Sequence, residues 1–219
     1  MFRNKSKLRN VVAIAICLVG ITVFSGCEKD DPGGSIGGSQ SPIGKTGNIF
    51  TTKGSIAGVS NFSAQVVDLE KGVSSVSISV NFTNSTYLSM LSTMSDVDIS
   101  GTKAVSNRQY RFTDKGIQSV YPEGKLNLIN YNAKVGDVYT LKRGAHTLRR
   151  EVTVVSKQDE FPWNGLLIKT IHVKETGRGI PGLDYIEYVG NHKFGIVAYK
   201  FGFEDGSTRE ISLVSGVTN

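Results

Sequence analysis

Residues 75–82 read SVSISVNF, and this stretch decides the fold class. Val76, Ile78, Val80 and Phe82 alternate with Ser75, Ser77, Ser79 and Asn81. Successive side chains on a strand point to opposite faces, so the pattern predicts a strand with one buried and one wet face. The same period recurs outward from it. Phe62, Ala64 and Val66 predict the preceding strand, with Glu70-Lys71-Gly72 as the turn between them. Tyr110 and Phe112 precede a second turn signal, Asp114-Lys115-Gly116. Leu148, Val152 and Val154 predict a strand over 146–156. Ile168, Thr170 and His172 alternate with Leu167, Ile171 and Val173 and predict one over 166–174. At the C-terminus Val197, Tyr199, Phe201 and Phe203 share a face, Asp205-Gly206 supplies a turn that tolerates positive φ, and Ile211 and Leu213 return on the partner strand.

One segment departs from period two. Tyr87, Met90, Leu91 and Met94 have the i, i+3, i+4, i+7 spacing of a helix face, with Asn84 or Ser85 as its cap, which predicts a short helix over 86–95. The expected fold is therefore mainly β: antiparallel sheets, arranged as a sandwich or a partly closed barrel, with one short helix. Of the 219 residues 39% are hydrophobic and 20% charged, which places the chain in the globular class. The net charge of +6 comes largely from the start of the chain. Without residues 1–26, which hold Arg3, Lys5, Lys7 and Arg9 and no acid, 21 basic residues face 19 acidic ones, a balance of +2. A nucleic-acid partner is disfavoured on that balance.

The N-terminus reads as an address. Residues 1–10 are basic and acid-free, and residues 11–24 (VVAIAICLVGITVF) are an apolar run too short to span a bilayer but of signal-peptide length. Phe24-Ser25-Gly26-Cys27 follows. This sequence resembles the lipobox of bacterial lipoproteins, with Phe24 where Leu is more usual. The resemblance implies cleavage after Gly26 and lipidation of Cys27, with two or three acyl chains giving stable attachment. Glu28-Lys29-Asp30-Asp31 then resembles the short export signal behind the cysteine of Bacteroidota surface lipoproteins. The implied location is the outer membrane, lipid-anchored and at the cell surface, with the periplasmic face as the alternative. Cys17 falls in the removed segment, so the mature chain would have no disulfide.

The expected organisation is a signal peptide (1–26), a lipidated cysteine with a flexible Gly/Ser-rich tether (27–47) and one β-rich domain (48–219). The tether sequence PGGSIGGSQSPIGKTG lacks periodicity, and a flexible chain of this length reaches roughly 25 Å.

Chemical motifs in the chain lack their structural context. Gly177-Arg178-Gly179-Ile180-Pro181-Gly182 matches the dinucleotide fingerprint, but strand residues follow it where a helix is required, so it reads as a loop between strands. Gly33-Gly34-Ser35-Ile36-Gly37 imitates a nucleophile elbow inside the tether, and Gly44-Lys45-Thr46 imitates the end of a P-loop without its first glycine. His146, His172 and His192 have no metal-ligand spacing, and the acid pairs Asp159/Glu160 and Glu204/Asp205 flank turns. No catalytic residue, metal site or cofactor is assigned.

The binding candidates are aromatic. Phe161-Pro162-Trp163-Asn164-Gly165 holds the single Trp on a loop, where Trp163 and Phe161 either meet a ligand or fold back to cap the core. Tyr185 and Tyr188 stand on opposite faces of one strand, so one of them points outwards or lines a groove. Lys142, Arg143, Arg149 and Arg150 read as the solvated edge of a hairpin. The function expected from these readings is a non-enzymatic, membrane-anchored binding or structural domain, with a glycan, a lipid or a protein as ligand. The alternative is an envelope carrier holding an apolar ligand between a curved sheet and the short helix. Residues from Lys134-Val135-Gly136-Asp137 through Phe194-Gly195-Ile196-Val197, under half of the chain, are similar to half-barrel envelope lipoproteins of the lipid-carrier type. A hydrolase is the third reading.

Overall fold

The period-two stretches form strands, and almost all of them join one sheet. The computed structural model describes residues 36–53, 58–83, 85–92 and 96–216. Residues 1–26, read as a signal peptide, together with Cys27 and Glu28-Lys29-Asp30-Asp31, lie outside the described residues. The strands of the first half are β1 (Ile49–Lys53), β2 (Val59–Glu70), β3 (Val73–Phe82), β4 (Asp98–Ser100), β5 (Lys103–Thr113), β6 (Gly116–Tyr121) and β7 (Gly124–Asn130). Those of the second half are β8 (Val138–Arg143), β9 (His146–Val155), β10 (Phe161–Trp163), β11 (Leu166–Ile168), β12 (Ile171–Thr176), β13 (Leu183–Asn191), β14 (Gly195–Phe203) and β15 (Thr208–Gly216). The helix α1 spans Ser85–Ser92. It matches the expected short helix, although the side chains of Tyr87, Met90 and Met94 are outside the description.

Thirteen strands form one antiparallel sheet in the order β7-β6-β5-β3-β2-β1-β15-β14-β13-β12-β9-β8, with β4 added beside β5. The accumulated twist of so many strands curls the sheet. Its end strand β7 comes back against β8, β12 and β13, so the sheet is nearly closed into a barrel. Among the described residues no ladder joins β7 to β8. Side chains bridge this seam instead. Arg150 on β9 donates from Nη1 to the Leu126 and Asn127 carbonyls on β7, at 3.0 and 3.1 Å. Ile129 packs so tightly on Gly190 that a Cβ there would lie 2.6 Å from its Cγ1.

Inside the barrel, Val66, Val76, Phe112, Ile117, Leu128, Ile129, Val152, Val173, Ile196 and Leu213 are the buried core. Part of the stretch expected to behave as flexible tether is fixed onto this end. Ser41 N donates to Phe112 O at 2.9 Å, and Pro42–Gly44 forms a 3-10 turn that buries Ile43 in the core. Asn48 is buried and donates to the Pro42 and Ile43 carbonyls, while Ser74 Oγ donates to Gly44 O. A segment without periodicity can still order when its backbone groups find partners, and the sequence pattern carries no trace of those partners.

Two further expectations change. The strand expected over 166–174 is two strands in different sheets, β11 paired with β10 and β12 in the barrel, separated by Lys169 and Thr170. The shared face expected for Val197, Tyr199, Phe201 and Phe203 is broken. Val197 packs in a satellite cluster with Trp163, Ile168, Val189 and Ala198, whereas Tyr199 packs on the barrel core. The β13–β14 ladder shifts register between Val189 and Gly190, and such an irregularity rotates the faces that follow it.

Candidate functional site

The strands that hold the packed core at the strapped end enclose a cavity at the other. Its volume is about 290 Å³ and it is partly open to solvent. That is near the lower end of the roughly 300–1,000 Å³ usual for small-molecule sites. The wall is built by alternation. Val59 and Phe62 come from β2, Ile78, Val80 and Phe82 from β3, Leu183 and Ile186 from β13, Phe201 and Phe203 from β14, and Ile211 from β15. Leu91 of α1 and Val97 just beyond it lean over the mouth, and Ile180 enters from the loop between β12 and β13. A smaller cavity of about 40 Å³ continues deeper and shares Phe62 and Ile78, with Tyr110 and Tyr199 in its wall.

Beside this apolar space lies a buried ionic cluster. Arg150 and Glu175 are register partners on β9 and β12, and each is 1% exposed. Arg150 Nε donates to Glu175 Oε2 at 2.6 Å, Nη1 to the two β7 carbonyls, and Nη2 to Ser119 Oγ and Tyr121 Oη at 3.1 and 3.2 Å. These bonds use all five of its N–H groups. Arg178 folds in from the glycine-rich loop, where Gly177 and Gly179 have φ of 79° and 69°. Its Nε donates to Glu175 Oε1 at 2.6 Å and its Nη2 to Tyr188 Oη at 3.1 Å. Burial raises the Glu175 pKa, but the charges of Arg150 and Arg178 outweigh it and hold the carboxyl below its ordinary range. Burial also disfavours the Arg150 cation, and Glu175 more than compensates. The Tyr188 and Tyr199 hydroxyls are pushed up, chiefly by burial, and stay neutral.

The third arginine of the interior, Arg108 on β5, lines the cavity and forms an ion pair with Asp96 through Nη1. Burial lowers its pKa, and the nearby Arg178 charge lowers it further.

The sequence candidates are placed as follows. Trp163 is 6% exposed, donates from Nε1 to Leu213 O at 2.7 Å and stacks on Phe194 with centroids 4.4 Å apart. It caps packed structure. Phe161 is half-buried and meets His172 edge-on. Tyr188 is buried beside Arg150 and Arg178, and Tyr185 is the outward partner, with Lys174 Nζ 4.0 Å from its ring centroid. Phe161 and Trp163 therefore sit in one hairpin and Tyr188 in the barrel interior. Cys27 and the residues Glu28, Lys29, Asp30 and Asp31 are outside the described residues. His172 bonds Glu187 across strands at 3.0 Å. Among the described residues no group of three or more His, Cys, Asp or Glu is placed to hold a metal, and no helix is long and apolar enough to cross a membrane.

Arg150 needs a correction. Expected on a solvated hairpin edge, it is the largest of the fully buried side chains among the described residues. The signal was present: Leu148, Arg150 and Val152 share one parity on a strand, and both neighbours face inwards. Comparison with protein-family models, curated proteins and solved structures returns no match.

Proposed function

We propose that the protein is a non-enzymatic, lipid-anchored envelope lipoprotein whose barrel holds an apolar ligand in its cavity. The observation that carries this reading is the apolar space of about 290 Å³ between the curved sheet and α1. Solvated apolar walls are costly, and a ligand that covers them gains about 0.8 kcal/mol per buried methylene. The carrier reading anticipates this arrangement, with the short helix leaning on the open end of the sheet. A glycan-binding surface would use exposed aromatic faces, and Trp163 offers none, because it is buried under Phe194. The lipobox resemblance at Cys27 supplies the anchor and the outer-membrane location, and the acidic run Glu28-Lys29-Asp30-Asp31 supports surface export.

Titration of the full-length chain with linear alcohols of rising length tests the cavity. Affinity rises about fourfold per added methylene until the space is full, and then levels off. Ile186→Trp fills the space and abolishes binding while the thermal midpoint stays within a few degrees. Failure of every alcohol to bind, or undiminished binding by the filled variant, overturns the reading. The anchor is tested separately: Cys27→Ala abolishes labelling by palmitate, and unchanged labelling refutes it.

A further inference from the structure

We propose that the ligand is an amphiphile with an anionic head, received by Arg178 and Arg108 at the wall of the cavity. The inference rests on the carrier reading and names the class of molecule carried. Its starting point is a difference among the three interior arginines. Arg150 spends every donor on protein partners. Arg178 does not: its Nε and Nη2 bond Glu175 and Tyr188, and its Nη1 has no partner among the described residues. Arg108 uses Nη1 on Asp96, and its Nε and Nη2 have no partner among the described residues. The two incompletely bonded arginines line the cavity, and the saturated one does not.

Charge points the same way. Three guanidinium groups, Arg108, Arg150 and Arg178, meet two carboxylates, Asp96 and Glu175. Arg209, an exposed residue, adds a further cation at the cavity wall, where among the described residues its side chain bonds only the Thr208 carbonyl. A partly buried excess of positive charge beside an apolar wall favours an anion that neutralises it. A hydrocarbon chain against Phe82, Leu91 and Phe203, with its acidic head between Arg108 and Arg178, satisfies both the apolar wall and the open donors. Charge-assisted hydrogen bonds to a carboxylate or phosphate are the strong kind, and planar guanidinium groups suit both. The glycine-rich loop thereby acquires a role. The positive φ of Gly177 and Gly179 lets it turn sharply, so that Arg178 reaches back to Glu175 while Ile180 closes over the cavity.

The test compares dodecanoate, dodecanol and dodecylammonium on the full-length chain by isothermal titration calorimetry. Dodecanoate is expected to bind about tenfold or more tighter than dodecanol, the ratio for one charge-assisted hydrogen bond, and dodecylammonium weakest. Arg108→Gln, which releases only a half-exposed Asp96, weakens dodecanoate far more than dodecanol, so that the preference for dodecanoate falls about tenfold. Arg178→Gln has the same effect on the preference, with folding verified by circular dichroism. Dodecyl phosphate in place of dodecanoate separates a phospholipid-like head from a fatty acid. Equal binding of dodecanoate and dodecanol, or an undiminished preference in both folded variants, overturns the anionic head while the carrier reading stands. Binding of none of these probes overturns both.

Discussion

The two ends of the barrel are built from the same strands and differ in what fills them. On β3, Val76 sits in the packed core and Val80 and Phe82 line the cavity. On β14, Ile196 is core and Phe201 and Phe203 are cavity wall. On β15 the pair is Leu213 and Ile211. The filled end is closed by the strap around Ile43 and by residues that interdigitate across the barrel. Among the described residues, α1 and the glycine-rich loop contribute Leu91 and Ile180 to the cavity wall at the other end. Beside the cavity lies the Arg150–Glu175–Arg178 cluster. Continuous strands thus carry two functions, stability at one end and space at the other.

Breaking the buried ionic cluster has the largest expected effect. Arg150→Met strips Glu175 of one partner and leaves the Leu126 and Asn127 carbonyls unbonded at the seam, at a cost of about 3–5 kcal/mol in chemical unfolding. The same cluster sets the acid limit. The folded Glu175 pKa lies below the ordinary 4.5, so its contribution is complete above that value and drains away as pH falls through the lower folded value. The wild type is expected to lose stability along that fall, and Glu175→Gln is expected to flatten the loss. A melting series against pH checks both.

The contrast between the ends comes next. Ile129→Ala at the filled end costs about 2–5 kcal/mol, because this fully buried side chain packs directly on Gly190 and lines neither cavity. Val80→Ala in the cavity wall costs less than about 1 kcal/mol, since its side chain already borders empty space. Equal losses in urea titrations would dissolve the comparison. Trp163→Phe falls between these two: it keeps the stacking on Phe194 but removes the bond to Leu213 O, at about 1–2 kcal/mol in the same titration.

Much of the architecture was legible. Ser75 to Phe82 announced a half-buried strand, the 3.6 spacing announced α1, and Asp205-Gly206 announced the final hairpin. These are local signals. The errors arose where a local signal met a distant partner. Ser41 and Gly44 look like tether because their order depends on Phe112 and Ser74, far along the chain. Val197 changed clusters because a register shift lies in its ladder. Of the candidate site, Leu91 and Phe201 were visible as apolar faces, but nothing local showed that those faces would enclose a space.

By itself the sequence determined the mainly β class, the position of the helix, and an N-terminus that resembles a lipoprotein signal. The first two follow from periodicity, which acts over a few residues, and the third is a resemblance carried by the short run Phe24-Ser25-Gly26-Cys27. The tertiary structure decided that the sheet curls until β7 meets β8, that Arg150 and Glu175 face each other inside, and that a cavity remains beside them. Closure and cavities depend on how side chains from strands far apart in the chain fill a common volume, and periodicity within one strand says nothing about its partners across that volume.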